Sequence, residues 1–208
     1  DHSSSVGVDR DENCIYEAIT KKYRLKDTVQ STSQDNLFIS PSNINLTGAS
    51  VELVDYENRE YYLKEALAQE KDSYDYILID CPPSLGLLTV NGLVAAEYVI
   101  VPLQCEYFAL EGLTQLLQTI KRVQKQLNTA LRIGGILFTM YDSRTRIANE
   151  VVEEVTGYFK DSVFKTIIPR NVRLSEAPSH GIPISQYDKS CIGAKSYQKL
   201  SEEVIDRV

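Results

Sequence analysis

Cysteine and histidine are scarce in this sequence, and no apolar run is clean enough to span a bilayer. The four cysteines, Cys14, Cys81, Cys105 and Cys191, stand far apart and match no zinc-ligand spacing. A disulfide framework or a Cys/His metal site would need them grouped, so reduced thiols in a cytosol are the economical reading, the more so as nothing upstream resembles a secretory leader. His2 and His180 have no partner pattern and motivate no triad with Ser175 or Ser179. The longest apolar region, Gly86 to Leu103, is interrupted by Asn91 and Glu97, which excludes a clean membrane span. Internal repeats and low-complexity linkers are lacking as well.

What is present suits one domain of ordinary size, since 208 residues with 43% hydrophobic content can bury a sizeable core without staples. The net charge of −7 hides an asymmetry: residues 1–100 hold 8 Lys/Arg against 17 Asp/Glu, whereas residues 160–199 hold 7 against 3. The basic set is Lys160, Lys165, Arg170, Arg173, Lys189, Lys195 and Lys199. Charge segregated in this way can meet a polyanion, although a solvated face explains it equally.

From Tyr74 onward, strand and helix patterns alternate, which predicts an α/β fold with a mainly parallel sheet and helices on both faces. Apolar runs at Tyr76 to Ile79, Tyr98 to Val101, Ile133 to Phe138 and Val163 to Ile168 are the expected strands. Leu110, Leu113, Leu117, Ile120 and Leu127 keep one face apolar at helical spacing, and Lys121, Arg122 and Lys125 supply the wet side, so Leu110 to Leu127 is expected to be a long crossover helix. Further helices are expected at Ile147 to Phe159 and Ala194 to Val208, the latter ending without an obvious cap. The first 70 residues are less regular, with helical patterns at Cys14 to Lys22 and Arg59 to Gln69 and a short strand at Leu37 to Ser40. The opening DHSSSVG is polar and flexible, and reads as a chain entered in mid-course.

The most informative segment is Tyr74 to Gly86, YDYILIDCPPSLG. Apolar residues at Ile77, Leu78 and Ile79 suit a strand buried on both faces, and Asp80 then arrives at its C-terminal end, where open α/β sheets place ligands. Pro82 and Pro83 force the chain out of the sheet directly afterwards. A magnesium-binding carboxylate is one reading of Asp80. The other is an ordinary aspartate at a strand end.

Taken together, the stretch from YDYILID through LQCEYFALEGL, the segment ILFTMYDSRT and the segment IPRNVRLSEAPSHGIPISQYD resemble the ParA/Soj family of chromosome and plasmid partitioning ATPases, in order and spacing, over nearly the whole chain. The resemblance implies a P-loop-type, doubly wound sheet, with ATP and Mg²⁺ as cofactors. It makes Asp80 the Walker B acid that holds Mg²⁺ through water, and the only catalytic residue expected here. Cys81, Pro82, Pro83, Ser84 and Gly86 become the switch loop that senses the γ-phosphate, with Ser84 and Gly86 as hinge positions unless the segment is a simple turn. Ile168, Pro169, Arg170 and Asn171 would lie over the adenine and Thr139 would flank it from the other side. The Asn171 amide has donor and acceptor for a base edge, or serves its own loop instead. Asp142 is expected to order its loop. Gln104 and Glu111 fall where relatives shape the dimer face near the nucleotide, though an acid in a helix's first turn explains Glu111 as well.

The same resemblance implies a homodimer with ATP, nonspecific binding of double-stranded DNA, a ParB-type partner that stimulates hydrolysis, no membrane, and a cytoplasmic, nucleoid-associated location. Lys160, Lys165, Arg170, Arg173, Lys189 and Lys195 are the DNA-phosphate candidates. One departure touches them: where the family commonly shows Tyr-Asp-Pro-Arg-Ser-Arg-Gly, this chain has Tyr187, Asp188, Lys189, Ser190, Cys191, Ile192 and Gly193, so both family arginines are gone. A larger departure is the lack of the glycine-rich phosphate loop and its two lysines, whose backbone amides and cations cradle the phosphates. The expectation is a single domain, residues 1–208, without its first one or two strands, that by itself hydrolyses ATP poorly. A membrane-cycling MinD-like ATPase is the alternative, opposed by Glu202, Glu203 and Asp206 on the last helix; a noncatalytic interaction piece is another.

Overall fold

The computed structural model describes residues 13–208, which form two compact units: residues up to Ala96 together with Arg122–Ala130, and Glu97–Lys121 together with Leu131–Val208.

In the first unit, α1 (Ile15–Ile19), α2 (Asn45–Glu52), α3 (Tyr62–Leu67) and α4 (Leu87–Ala95) accompany a small antiparallel pair, β1 (Gln30–Ser31) and β2 (Phe38–Ile39). Cys14, Tyr16, Ile19, Ala49, Leu53 and Leu63 make the core, with Ile79, Leu87 and Leu88 packed on it. Two buried amides tie the unit together. Asn91 Oδ1 accepts the backbone N–H of Leu63 at 3.1 Å, while its Nδ2 donates to Arg59 O at 2.9 Å. Asn128 Nδ2 donates to the carbonyls of Leu93, Val94 and Ala96 at 3.0, 3.1 and 2.8 Å, closing the end of α4, where helix carbonyls have no partner of their own.

The expected strand at Tyr76 to Ile79 is not a strand. No strand pairs with this segment among the described residues, and Tyr76 and Leu78 are 55% and 88% exposed. A strand apolar on both faces acquires its ladder only from neighbours on its edges, and here there is none to supply it. The Leu37 to Ser40 expectation shrinks to the two residues of β2, and it pairs antiparallel rather than joining the parallel scheme.

The second unit is built on β3 (Tyr98–Gln104) and β4 (Arg132–Thr139), which pair in parallel. Between them in the chain comes α5 (Ala109–Gln126), of which the residues up to Lys121 belong to this unit; its Leu113, Ile120 and Val123 are buried and its Lys121, Arg122 and Lys125 exposed, as its periodicity predicts. The register slips between Val99 and Ile100, which face Ile133 and Gly135, so Gly134 is an extra residue in a bulge. The expected fourth strand survives as a partly regular edge. Phe164 N donates to Ile136 O and Ile168 N to Phe138 O, both at 2.9 Å, but only isolated parallel bridges form, at Val163 and Pro169. Then follow α6 (Arg146–Phe159), α7 (Val172–Glu176), α8 (Ile184–Tyr187) and α9 (Ile192–Arg207). The last is capped at its N-terminus, where Cys191 Sγ accepts the N–H of Ala194 at 3.3 Å.

Candidate functional site

Asp80 lies in the first unit, directly after the Tyr76 to Ile79 segment, and is exposed. The loop that follows leads into α4, with Gly86 at the helix's N-terminal boundary. Cys81 packs toward α4: a Cβ on Gly92 would lie 2.6 Å from its Sγ and 3.4 Å from Ile79 Cγ2. That contact buries the sulfur although the residue as a whole is exposed, and the burial together with the Asp80 charge pushes the Cys81 thiol up. Thr89 Oγ1 donates to Ser84 O at 2.5 Å and to Pro82 O at 3.3 Å, so the buried hydroxyl on α4 holds both the proline and the serine of the expected switch loop. Pro83 is exposed beside them.

In the second unit, the loops after β4 and after the edge segment are sewn together. Tyr141 N donates to Ile168 O at 3.2 Å and Arg170 N donates to Tyr141 O at 2.9 Å, which places Thr139 and the Ile168 to Asn171 segment at the same, C-terminal, end of the parallel pair. Met140, at φ 53°, makes the left-handed turn that lets Tyr141 reach across. Tyr141 OH donates to Asn149 Oδ1 at 2.7 Å, fastening the loop to α6. Asn171 caps α7, its Oδ1 accepting the N–H of Arg173 at 2.9 Å. Its acceptor is thus engaged in its own loop, the second of the two roles the sequence leaves open. Asp142 orders its loop as expected: the Arg144 guanidinium and backbone N–H bind its carboxylate at 2.6–3.1 Å and pull it down to about 2.

The basic residues divide into two groups. Arg170 and Arg173 have acidic neighbours, Glu106 at 3.9 Å for the first and Glu176 at 2.8 Å with Asp188 at 3.7 Å for the second. Lys160, Lys165, Lys189 and Lys195 are exposed and form no ion pair among the described residues. Beyond β3, Gln104 and Glu106 border an apolar groove of about 520 Å³, lined also by Tyr107, Phe108, Gly112 and Leu116. Tyr107 and Phe108 meet edge to face, 5.1 Å between ring centroids, and both are about three-quarters exposed.

Residues 1–133 match the family described as an AAA domain. The chain is 62% identical to the chromosome-partitioning ATPase Soj of Treponema pallidum, over 99% of its own length and 81% of that protein's. It is 52% identical to the sporulation initiation inhibitor protein Soj of Bacillus subtilis, over 97% and 81% of the two lengths. The chain belongs to the ParA/Soj family of chromosome-partitioning ATPases. Among solved structures, cobyrinic acid a,c-diamide synthase of Mycobacterium smegmatis with bound ADP and magnesium superposes with a TM-score of 0.79 at 36% identity, covering 95% of this chain and 74% of that one. The α/β, P-loop-type fold class expected from the sequence therefore holds.

Within this ParA/Soj chain, the residues present fit one part of a magnesium–nucleotide site and lack another. No group of three His, Cys, Asp or Glu side chains that could hold a metal occurs among the described residues, so a magnesium ion here would depend on water and phosphate oxygens around the single exposed Asp80 carboxylate. A small hard cation that keeps several waters suits that donor set. The phosphate cradle is what the sequence does not supply. Thr89, Gly92 and Tyr141 are positioning residues that sequence reading missed. Gly92 and Thr89 carried no signal beyond a small residue and a hydroxyl in an apolar helix, whereas Tyr141 stood two residues after Thr139 in the quoted segment.

Proposed function

We propose that this protein is an ATP-dependent DNA-partitioning factor: its ATP-bound dimer binds double-stranded DNA nonspecifically, and a ParB-type partner stimulates hydrolysis. The observation that carries the reading is the 62% identity to a chromosome-partitioning ATPase over 99% of the chain. Asp80 is the residue for Mg²⁺, held through water. The ion neutralises charge on the transferring phosphoryl group. Cys81, Pro82, Pro83, Ser84 and Gly86 form the γ-phosphate switch, and the bonds from Thr89 link that switch to α4. Thr139 and the segment Ile168, Pro169, Arg170 and Asn171 form the base-side loops, kept in register by Tyr141.

DNA phosphates meet Lys160, Lys165, Lys189 and Lys195 together with Arg170 and Arg173, and dimerisation enlarges the number of phosphates neutralised. Work would take place in the cytoplasm, on the nucleoid. By themselves the 208 residues are expected to turn over ATP poorly, because they contain no glycine-rich cradle for the phosphates. The test is a salt-dependent shift of duplex DNA by the full-length protein with ATP and Mg²⁺, absent with ADP. Equal binding in both nucleotide states would remove the switch.

A further inference from the structure

Two of the three acids in the basic segment 160–199 face a single arginine. Arg173 Nη1 lies 2.8 Å from Glu176 Oε2, and its Nε lies 3.7 Å from Asp188 Oδ2, beyond hydrogen-bond reach but within ion-pair range. The acids have further hydrogen-bond partners of their own. Tyr187 OH donates to Glu176 Oε2 at 3.2 Å, and the His180 ring stacks on Tyr187 with centroids 5.0 Å apart. Asp188 Oδ1 accepts from Ser190 N, Ser190 Oγ and Cys191 N at 3.0, 2.7 and 3.1 Å, which makes this carboxylate part of the turn leading into α9. Exposure divides the same way, with 53% of the arginine side chain in solvent against 38% and 28% for the glutamate and aspartate.

We propose that Glu176 and Asp188 are internal competitors for Arg173, occupying in the DNA-free protein the guanidinium that a DNA phosphate would otherwise take. The inference rests on the DNA-binding reading above and adds to it two affinity-setting residues that bear charge of the wrong sign for DNA. The hold is weak by construction: one hydrogen bond and one long ion pair, both exposed. Such a pair is worth no more than about a fivefold factor. A phosphate offers the same planar fork two oxygens and releases a counterion as well, so it can displace the carboxylates while paying that factor back. The carboxylates remain behind, anchored by Tyr187 and by the Asp188 turn, and repel the same phosphate. Arg173 thus contributes to binding only where DNA is dense enough to win the exchange.

The experiment is a double-mutant cycle on the full-length protein with a nonhydrolysable ATP analogue and Mg²⁺, titrating a fluorescent random-sequence duplex over a salt series. Arg173→Ala should weaken binding and flatten the log–log salt slope by about 0.9. Glu176→Gln, which keeps an acceptor for Tyr187, should tighten binding about threefold at fixed salt. Asp188→Asn, which keeps Oδ1 for the turn, should act in the same direction. In the Arg173→Ala background, Glu176→Gln should change nothing. Equal tightening with and without Arg173 would mean that any lost negative charge suffices, and the competitor role falls while DNA binding stands. Failure of the wild type to bind the duplex at any salt overturns the DNA reading and this inference together.

Discussion

A methyl group at Gly135 would stand 2.5 and 2.8 Å from two ring carbons of Phe164 and 3.0 Å from Arg207 Nη1. Neither neighbour can retreat easily, because Phe164 is buried and the Arg207 guanidinium sits over its ring, 4.3 Å from the centroid. Gly135→Ala should therefore destabilise the protein by about 1–3 kcal/mol, read as a lower urea midpoint, and Phe164→Leu in the same chain should recover part of the loss. Asp142 provides a second residue-scale test. Its carboxylate is lowered to about 2 by Arg144 from an ordinary value of 3.8. A depressed folded-state value means stability that is fully present above the unfolded value and lost as pH falls toward 2. The difference in stability between wild type and Asp142→Asn should accordingly be constant above about pH 5 and vanish near pH 2 in unfolding curves. A gap that persists at the acid end would show that the carboxylate charge is not its source.

The element most instructive about the fold is the edge formed by residues 163–168. One side is paired with β4; on the other side Glu203, on α9, accepts the backbone N–H groups of Lys165 and Thr166 at 2.8 and 2.9 Å, as a strand would. Arg207, one turn later, donates to Val163 O and Glu203 Oε1, both at 2.8 Å. Burial pulls the Glu203 carboxyl up, but the two backbone donors and the Arg207 charge outweigh it and hold it below the ordinary glutamate range. An exposed edge of unpaired amides invites pairing with other chains, and a helix-borne carboxylate blunts it. Glu203→Ala should leave the fold intact while hydrogen exchange at Lys165 and Thr166 quickens several-fold, since the net worth of such a bond to a charged group is about 1–3 kcal/mol and part of it is recovered from water at this exposed edge. Unchanged protection at these two amides would show that α9 covers the edge by packing alone. Glu203 and Arg207 are turned inward, at 16% and 22% side-chain exposure.

At the scale of the whole molecule, the charge asymmetry sets the expectation. A chain with net charge −7 should bind duplex DNA only through its basic segment, so removing one of the unpaired lysines should flatten the salt slope by about 0.9 without changing sequence preference. Lys165→Ala is the clearest instance, since its side chain is exposed and only its backbone is engaged by Glu203. A slope that does not move, measured with ATP-bound full-length protein, would take Lys165 out of the interface.

The helices α5 and α6 and the strands β3 and β4 were legible because their apolar spacing repeats over many residues, and the family was legible because three long segments kept their order. Single residues were less so. Asn171 fitted a base edge or its own loop, and only tertiary structure shows that its Oδ1 accepts the Arg173 N–H. The strand expected at Tyr76 to Ile79 has the composition of a central strand, but composition specifies which faces are apolar and cannot supply the neighbouring chain that a ladder requires. Thr89, Gly92 and Glu203 escaped because their roles depend on what lies across space: two loop carbonyls, a cysteine sulfur and two edge amides. The sequence by itself determined the fold class and the family, since these rest on local pattern and motif order. Tertiary structure alone decided which polar groups are engaged, because a hydrogen bond depends on distance and direction that no linear spacing contains.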